Sequence, residues 1–253
     1  MGLLLQKESL SLQWWRTNKL GGAMAIYAIS DLHLSLGTDK PMDIFGWGDH
    51  ASKIKDYWNN KITNEDYILI PGDISWAINL EEASADFDFI DRLPGNKVLS
   101  KGNHDYWWCT RRKFEKYCSE KGFDSFKLLH NNTIELENYT VCGTRGWKSL
   151  DDDTFSDDDA RIYNRELERL RLSLEEGQKT GKEIILMLHY PPFDSKHRPN
   201  EFARIMKKYN VKRCVYGHVH SRYQQSWRNE TIDGLQYFLV SSNIIDFNPV
   251  RIV

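Results

Sequence analysis

Residues 25–33 read AIYAISDLH, a strand-like run, Ala25–Ser30, that ends directly on Asp31 and His33. The same event recurs along the chain. Asp66–Pro71 ends on Gly72 and Asp73, and Lys97–Lys101 on Gly102, Asn103, His104 and Asp105. Glu183–Leu188 ends on His189, and Lys212–Tyr216 on Gly217, His218 and His220. Short apolar runs of this kind predict buried strands. In open α/β sheets, ligands bind beyond the carboxyl ends of parallel strands, so polar residues scattered over most of the sequence are expected at one edge. Tyr139–Gly143 and Tyr237–Ser241 add two further strand-like runs.

Helical periods lie between the strands. Leu80, Ala83, Phe87 and Ile90 repeat at three- and four-residue steps behind Asn79 and Glu82, which have the pattern of a capping box. Tyr163, Leu167, Leu170 and Leu174 repeat likewise before Gly177, as do Phe202, Ile205, Met206 and Tyr209 before Asn210. This alternation predicts a layered α/β fold. Thr133–Gly143 reads as two strands about a turn near Asn138, so part of the sheet system is expected to be antiparallel. Gly21 and Gly22 separate residues 1–23, expected to be a peripheral appendage or an over-long start with Trp14 and Trp15 docked on the body, from a single domain over 24–253. The segment around 36–62 is read as an insertion, a small helical unit burying its own aromatics, Phe45, Trp47 and Trp58, with a lid or substrate wall as the alternative.

Composition narrows the function classes. Against 36 Asp plus Glu stand 34 Lys plus Arg, a formal charge of −2, so no global cationic field draws in nucleic acid or an anionic membrane. No uncharged stretch approaches the roughly 18–20 apolar residues of a membrane span. Cys109, Cys118, Cys142 and Cys214 lack the spacing of a zinc knuckle or a disulfide framework, and predict reduced thiols in a cytoplasmic protein.

The strand-end residues comprise two carboxylates, four imidazoles (His33, His189, His218 and His220) and an amide oxygen, with no thiolate. That set suits divalent Mn, Fe or Zn. Seven side chains exceed the needs of one ion and fit two ions sharing a bridging carboxylate, the arrangement that clamps the attacking and leaving oxygens of a phosphoryl displacement. The strings DLHL at Asp31, GD at Gly72, GNHD at Gly102, LHYPP at Leu188 and GHVH at Gly217 resemble, in content and order, the calcineurin-like metallophosphoesterase superfamily. Coverage runs from about Met24 to at least Ser242, with a longer gap between His33 and Gly72 than the compact family pattern has.

The resemblance implies an α/β/β/α sandwich of mixed sheets, with a dinuclear metal site at the strand C-terminal ends. It implies one metal on Asp31, His33, Asp73 and His220 and a second on Asp73, Asn103, His189 and His218, with Asp73 bridging. His104 matches the family's non-ligand histidine, placed to protonate or stabilise the leaving oxygen, and Asp105 is expected to orient its ring. A hydroxide held between the metals would be the nucleophile, cleaving a small phosphomonoester or phosphodiester, nucleotides and cyclic nucleotides among them. A nuclease and a protein-interaction scaffold without metal chemistry are the alternatives. Balanced charge argues against the first and the complete ligand set against the second.

Other residues receive plainer readings. His50, His130 and His197 are expected to be ordinary surface or loop residues. The acidic run Asp151–Asp153 and Asp157–Asp159 reads as a solvated loop leading into a helix. Trp107 and Trp108 are expected in the core. Arg111, Arg112, Arg145 and Arg198 are read first as surface residues and, as the alternative, as phosphate clamps, because guanidinium matches phosphate oxygens bidentately. Arg145 stands first, in a Gly-bounded loop after a strand.

Overall fold

The computed structural model describes residues 24–40, 42–221 and 226–253. The expected appendage at 1–23, with Trp14 and Trp15, lies outside the described residues. Two mixed sheets carry the chain. The first runs in the order β11 (Val250–Arg251), β1 (Ile26–Ala28), β2 (Tyr67–Pro71), β3 (Asn96–Ser100), β4 (Phe126–Leu128), all parallel except β11. The second runs β5 (Ile134–Glu135), β6 (Tyr139–Thr144), β7 (Glu183–Leu188), β8 (Arg213–Tyr216), β10 (Leu235–Leu239), β9 (Glu230–Ile232). Its outer strands β5 and β9 are antiparallel to their neighbours, and the inner four are parallel. The hairpin about Asn138 thus forms as expected.

Side-chain alternation along the second sheet explains the layering. Val141, Ile185, Met187, Val215 and Phe238 pack into one core with the first sheet, while Cys142, Ile184, Leu186, Cys214 and Tyr237 pack into another. Helices cover the outer faces. α1 (His50–Lys61), α2 (Ser84–Asp91) and α3 (Arg111–Lys121) contribute Trp58, Phe87 and Phe114 to the first core. α4 (Asp157–Gln178) and α5 (Glu201–Lys208) contribute Leu170 and Met206 to the second. The result is the expected mixed α/β sandwich. Among the described residues no helix is long and apolar enough to cross a membrane, and all four cysteines are free.

Local chemistry sets the boundaries. Ser156 and Asp159 form a reciprocal capping box at the start of α4, where Asp157, Asp158 and Asp159 also meet the positive end of the helix dipole. Asn79 and Glu82 bond each other reciprocally, but on a turn that precedes α2, whose N-cap is Ala83. At the carboxyl ends the two sheets are tied directly: Ser30 bridges Ser241, and both the backbone N–H and the hydroxyl of Ser242 donate to the Ser30 carbonyl.

Candidate metal centre

The strands stop where apolar residues give way to left-handed backbone. Asp31 (φ 55°), His33 (φ 44°), Asp73 (φ 52°) and His218 (φ 71°) all lie in that region, at about 1–3 kcal/mol each for a non-glycine residue, a strain that clusters at functional sites. Two glycines let the β2 and β3 loops touch. A Cβ on Gly72 would lie 2.6 Å from Gly102 Cα and 2.8 Å from His189 Nδ1, and a Cβ on Gly102 would collide with the backbone nitrogen of Asp73.

Side chains from five strand ends meet there. Asp31, His33 and His220 form one group and Asp73, His189 and His218 another, each offering ligand atoms within 4.8 Å of one another. Asp73 Oδ2 stands between the groups, 3.7 Å from His33 Nε2 and 3.4 Å from His189 Nε2. Asn103 Oδ1 joins the second group at 2.7 Å from His189 Nε2 and 2.9 Å from His218 Nδ1. All seven residues expected as ligands are therefore neighbours, and His104 is beside them, its ring 5.5 Å from that of His33 and its backbone N–H donating to Asp73 Oδ1 at 2.8 Å.

The donor set fits cations. His189 Nδ1 lies 3.0 Å from the Pro71 carbonyl, which only accepts, so Nδ1 carries the proton and Nε2 a lone pair. That lone pair faces Asn103 Oδ1 at 2.7 Å, two acceptors with no hydrogen between them, an arrangement that a divalent cation makes favourable. Burial holds His33 and His189 down to about 3 and His218 to about 4, leaving neutral imidazoles in the form that binds metal. Burial, then the Asp31 and Asp105 carboxylates, raises Asp73 to about 9. For Asp31 burial opposes ionisation, but the His220 hydrogen bond and the neighbouring imidazoles outweigh it and hold the carboxyl well below its usual range. His220 is raised because its contact with Asp31 overcomes its own desolvation.

Several expectations need correction. Asp105 does not orient the His104 ring: its carboxylate accepts from the backbone N–H groups of Asp73 (2.9 Å), Ile74 (2.9 Å) and Gly102 (2.8 Å) and from the Trp107 indole (3.0 Å). Among the described residues His104 Nδ1 has no hydrogen-bond partner. The short, fully buried carboxylate is surrounded by amide donors of the two tight turns, and it staples them together. His50 is not a surface residue; it is buried, with Nε2 3.0 Å from the Leu32 carbonyl, fixing α1 beneath the His33 loop. Trp47 is not buried within its own insertion. It meets the rings of His33 and His220, each at 5.7 Å, and so walls the centre, whereas Phe45 is 64% exposed. His197 is bonded to Glu230 at 2.7 Å and stacked on Trp227.

Three contributors have little sequence signature. Trp76 stacks on His33 at 4.8 Å and meets His104 at 4.4 Å. Asn243 Oδ1 lies 2.9 Å from His220 Nδ1, and its amide donates to the His220 carbonyl at 2.8 Å. Ser30 Oγ donates to Asp31. Of the arginines, Arg111 pairs with Glu115 and Arg198 with Asp194 on the surface, and Arg112 is exposed. Of these four, only Arg145 comes near the centre, its carbonyl accepting the His189 N–H at 3.0 Å.

The family model for calcineurin-like phosphoesterases matches residues 24–222. Among solved structures, phosphopantetheinyl hydrolase (PptH) from Mycobacterium tuberculosis is similar at a TM-score of 0.60 and 16% identity, over 92% of this chain and 97% of that one. TT1561 of Thermus thermophilus is similar at a TM-score of 0.54 and 14% identity, over 91% and 98%. No curated protein matches the chain.

Proposed function

Since the chain belongs to the calcineurin-like phosphoesterase family, and is thus a metal-dependent phosphoester hydrolase, we propose that it is a dinuclear phosphohydrolase acting on a small phosphomonoester or phosphodiester. The observation that carries this reading is the meeting of two three-residue ligand groups across Asp73, with His104 alongside. Asp31, His33, Asp73 and His220 would hold one ion, and Asp73, Asn103, His189 and His218 the other. When bound, two divalent ions supply Lewis acidity and bring the pKa of coordinated water near neutrality.

The chain's own part is positional. Asp105 fixes the two turns that carry Asp73 and Asn103, so those oxygens are aimed before substrate arrives. Trp76 and His33 hold the His104 ring at the edge of the centre, where it can deliver a proton to the leaving oxygen. Burial lowers the His104 pKa, which makes its protonated form a stronger acid. Trp47, Trp76 and Tyr190, the last 4.2 Å from His218, limit water around the reacting group. Free thiols support a reducing compartment, hence the cytoplasm.

The test is hydrolysis by Mn-loaded protein of an aryl phosphate, an aryl phosphodiester, a cyclic nucleotide and, in view of the PptH likeness in fold, a phosphopantetheine diester. His104→Ala is expected to lower kcat by roughly 10²–10⁴-fold, and Asp73→Asn to abolish tight loading with the second ion. Full turnover in both variants would overturn the reading.

A further inference from the structure

A cavity lies off two of the strand ends near the centre. It has a volume of about 420 Å³ and is lined by Lys101, His130, Arg145, Arg165, Glu166 and Arg169, where the carboxyl ends of β3 and β6 meet α4. Four cationic side chains surround one carboxylate. Glu166 is already engaged on both oxygens: one accepts from Thr144 Oγ1, and the other lies 2.7 Å from Arg169 Nη1 and 3.8 Å from Arg165 Nε. Among the described residues the Lys101 ammonium and the Arg145 guanidinium have no hydrogen bond or ion pair, and Arg145 rests 4.2 Å over the Trp147 ring. Both are partly buried. Two donors on further wall residues, Ser100 Oγ and Trp108 Nε1, also lack partners.

Lys101 and Arg145, held close to further cations and partly desolvated without a matching anion, carry a penalty that an oxyanion relieves, and guanidinium forks match phosphate oxygens best. The cavity adjoins the centre through the chain itself. Lys101 precedes Gly102 and Asn103, and the Arg145 carbonyl accepts the N–H groups of both His189 and Tyr190 at 3.0 Å. We propose that this cavity holds a second phosphoryl group of the substrate, so that the enzyme acts on compounds with two phosphoryl groups, one cleaved at the centre and one gripped by Lys101, Arg145 and Arg169. This rests on the reading of the neighbouring centre as a phosphohydrolase.

The first measurement is titration of the metal-free full chain with inorganic phosphate by calorimetry. Without divalent cations, the centre offers an anion only the Asp31 carboxylate among mostly neutral imidazoles, so saturable binding that depends on Lys101 and Arg145 reports the cavity. Arg145→Gln and Lys101→Gln, each checked for an unchanged Tm, are expected to weaken phosphate binding by about 10-fold or more, and Arg111→Gln on the surface to leave it unaltered. The second is kcat/KM of the Mn-loaded enzyme for a sugar bisphosphate against the matched sugar monophosphate, and a nucleoside bisphosphate against its monophosphate. The preference for the bisphosphate is expected to fall by about 10-fold in Arg145→Gln. Absence of saturable phosphate binding, or binding indifferent to both substitutions, overturns the proposal. Phosphate binding that needs Lys101 and Arg145 without any bisphosphate preference assigns the cavity to free phosphate and overturns the substrate class. Hydrolysis of neither substrate type, with phosphate binding intact, overturns the substrate class, and failure on the aryl phosphate and aryl phosphodiester as well overturns the phosphohydrolase reading itself.

Discussion

At the scale of single residues, Asp73 decides the chemistry of the centre. Burial and the neighbouring Asp31 and Asp105 carboxylates raise its pKa and favour its protonated form in the metal-free protein, whereas burial keeps His33, His189 and His218 neutral. A divalent cation must displace the Asp73 proton and need displace none from those imidazoles. Metal titrations in buffers of different ionisation enthalpy should therefore show net proton release at pH 7.5, reduced by about one proton in Asp73→Asn, with affinity weakening as pH falls. Titration without proton release would contradict the assignment. Asn243 supports His220 from the far side of the ring, and Asn243→Ala is expected to weaken metal affinity by about 10–100-fold in equilibrium dialysis. That the expected ligand residues meet was legible in the sequence because metal chemistry admits few residue types and each stands just after an apolar run. Asn243 was not, because it is brought to His220 by the turn after β10 rather than by any local pattern. The partners of Asp105 were hidden for a related reason: backbone N–H groups bear no mark in a sequence, so their claim on a buried carboxylate is invisible until the turns are seen.

At the scale of elements, the insertion before β2 shows how periodicity succeeds and fails. Ile54 and Trp58, four residues apart, place one face of α1 on the core, and Trp58 Nε1 donates to the Pro94 carbonyl at 2.9 Å. Trp58→Ala should cost about 3–5 kcal/mol in denaturant unfolding, the range for an aromatic deleted from a packed core. Ser156→Ala at the start of α4 should cost about 0.5–2 kcal/mol by the same measurement, since it removes one side of a capping box. Trp47 follows no period, lying in the irregular stretch between the 3-10 turn at Met42–Phe45 and α1, so its place against His33 could not be read from spacing. The long strands were legible as apolar runs. β4, β9 and β11, with two or three residues each, are too short for any alternation to register, and exist because neighbouring strands offer them an unpaired edge.

At the scale of the whole molecule, the centre depends on both sheets at once. Asp31, Asp73 and Asn103 follow strands of the first sheet, and His189, His218 and His220 strands of the second. Neither sheet alone completes a ligand group, because Asp31 needs His220 and Asp73 needs His189. Ions bound across this seam stabilise the fold by linkage: at 100 times the dissociation constant, one site adds about 2.7 kcal/mol. Mn should accordingly raise the Tm of the wild-type protein, and much less that of Asp73→Asn. The central claim is that two ions share Asp73, and electron paramagnetic resonance of Mn-loaded protein, with metal content measured on the same sample, addresses it directly. The expected result is two Mn ions per chain with the spectrum of an exchange-coupled pair, replaced in Asp73→Ala by uncoupled or lost ions. A single uncoupled ion in the wild-type protein, or a coupled pair that survives Asp73→Ala, would contradict it.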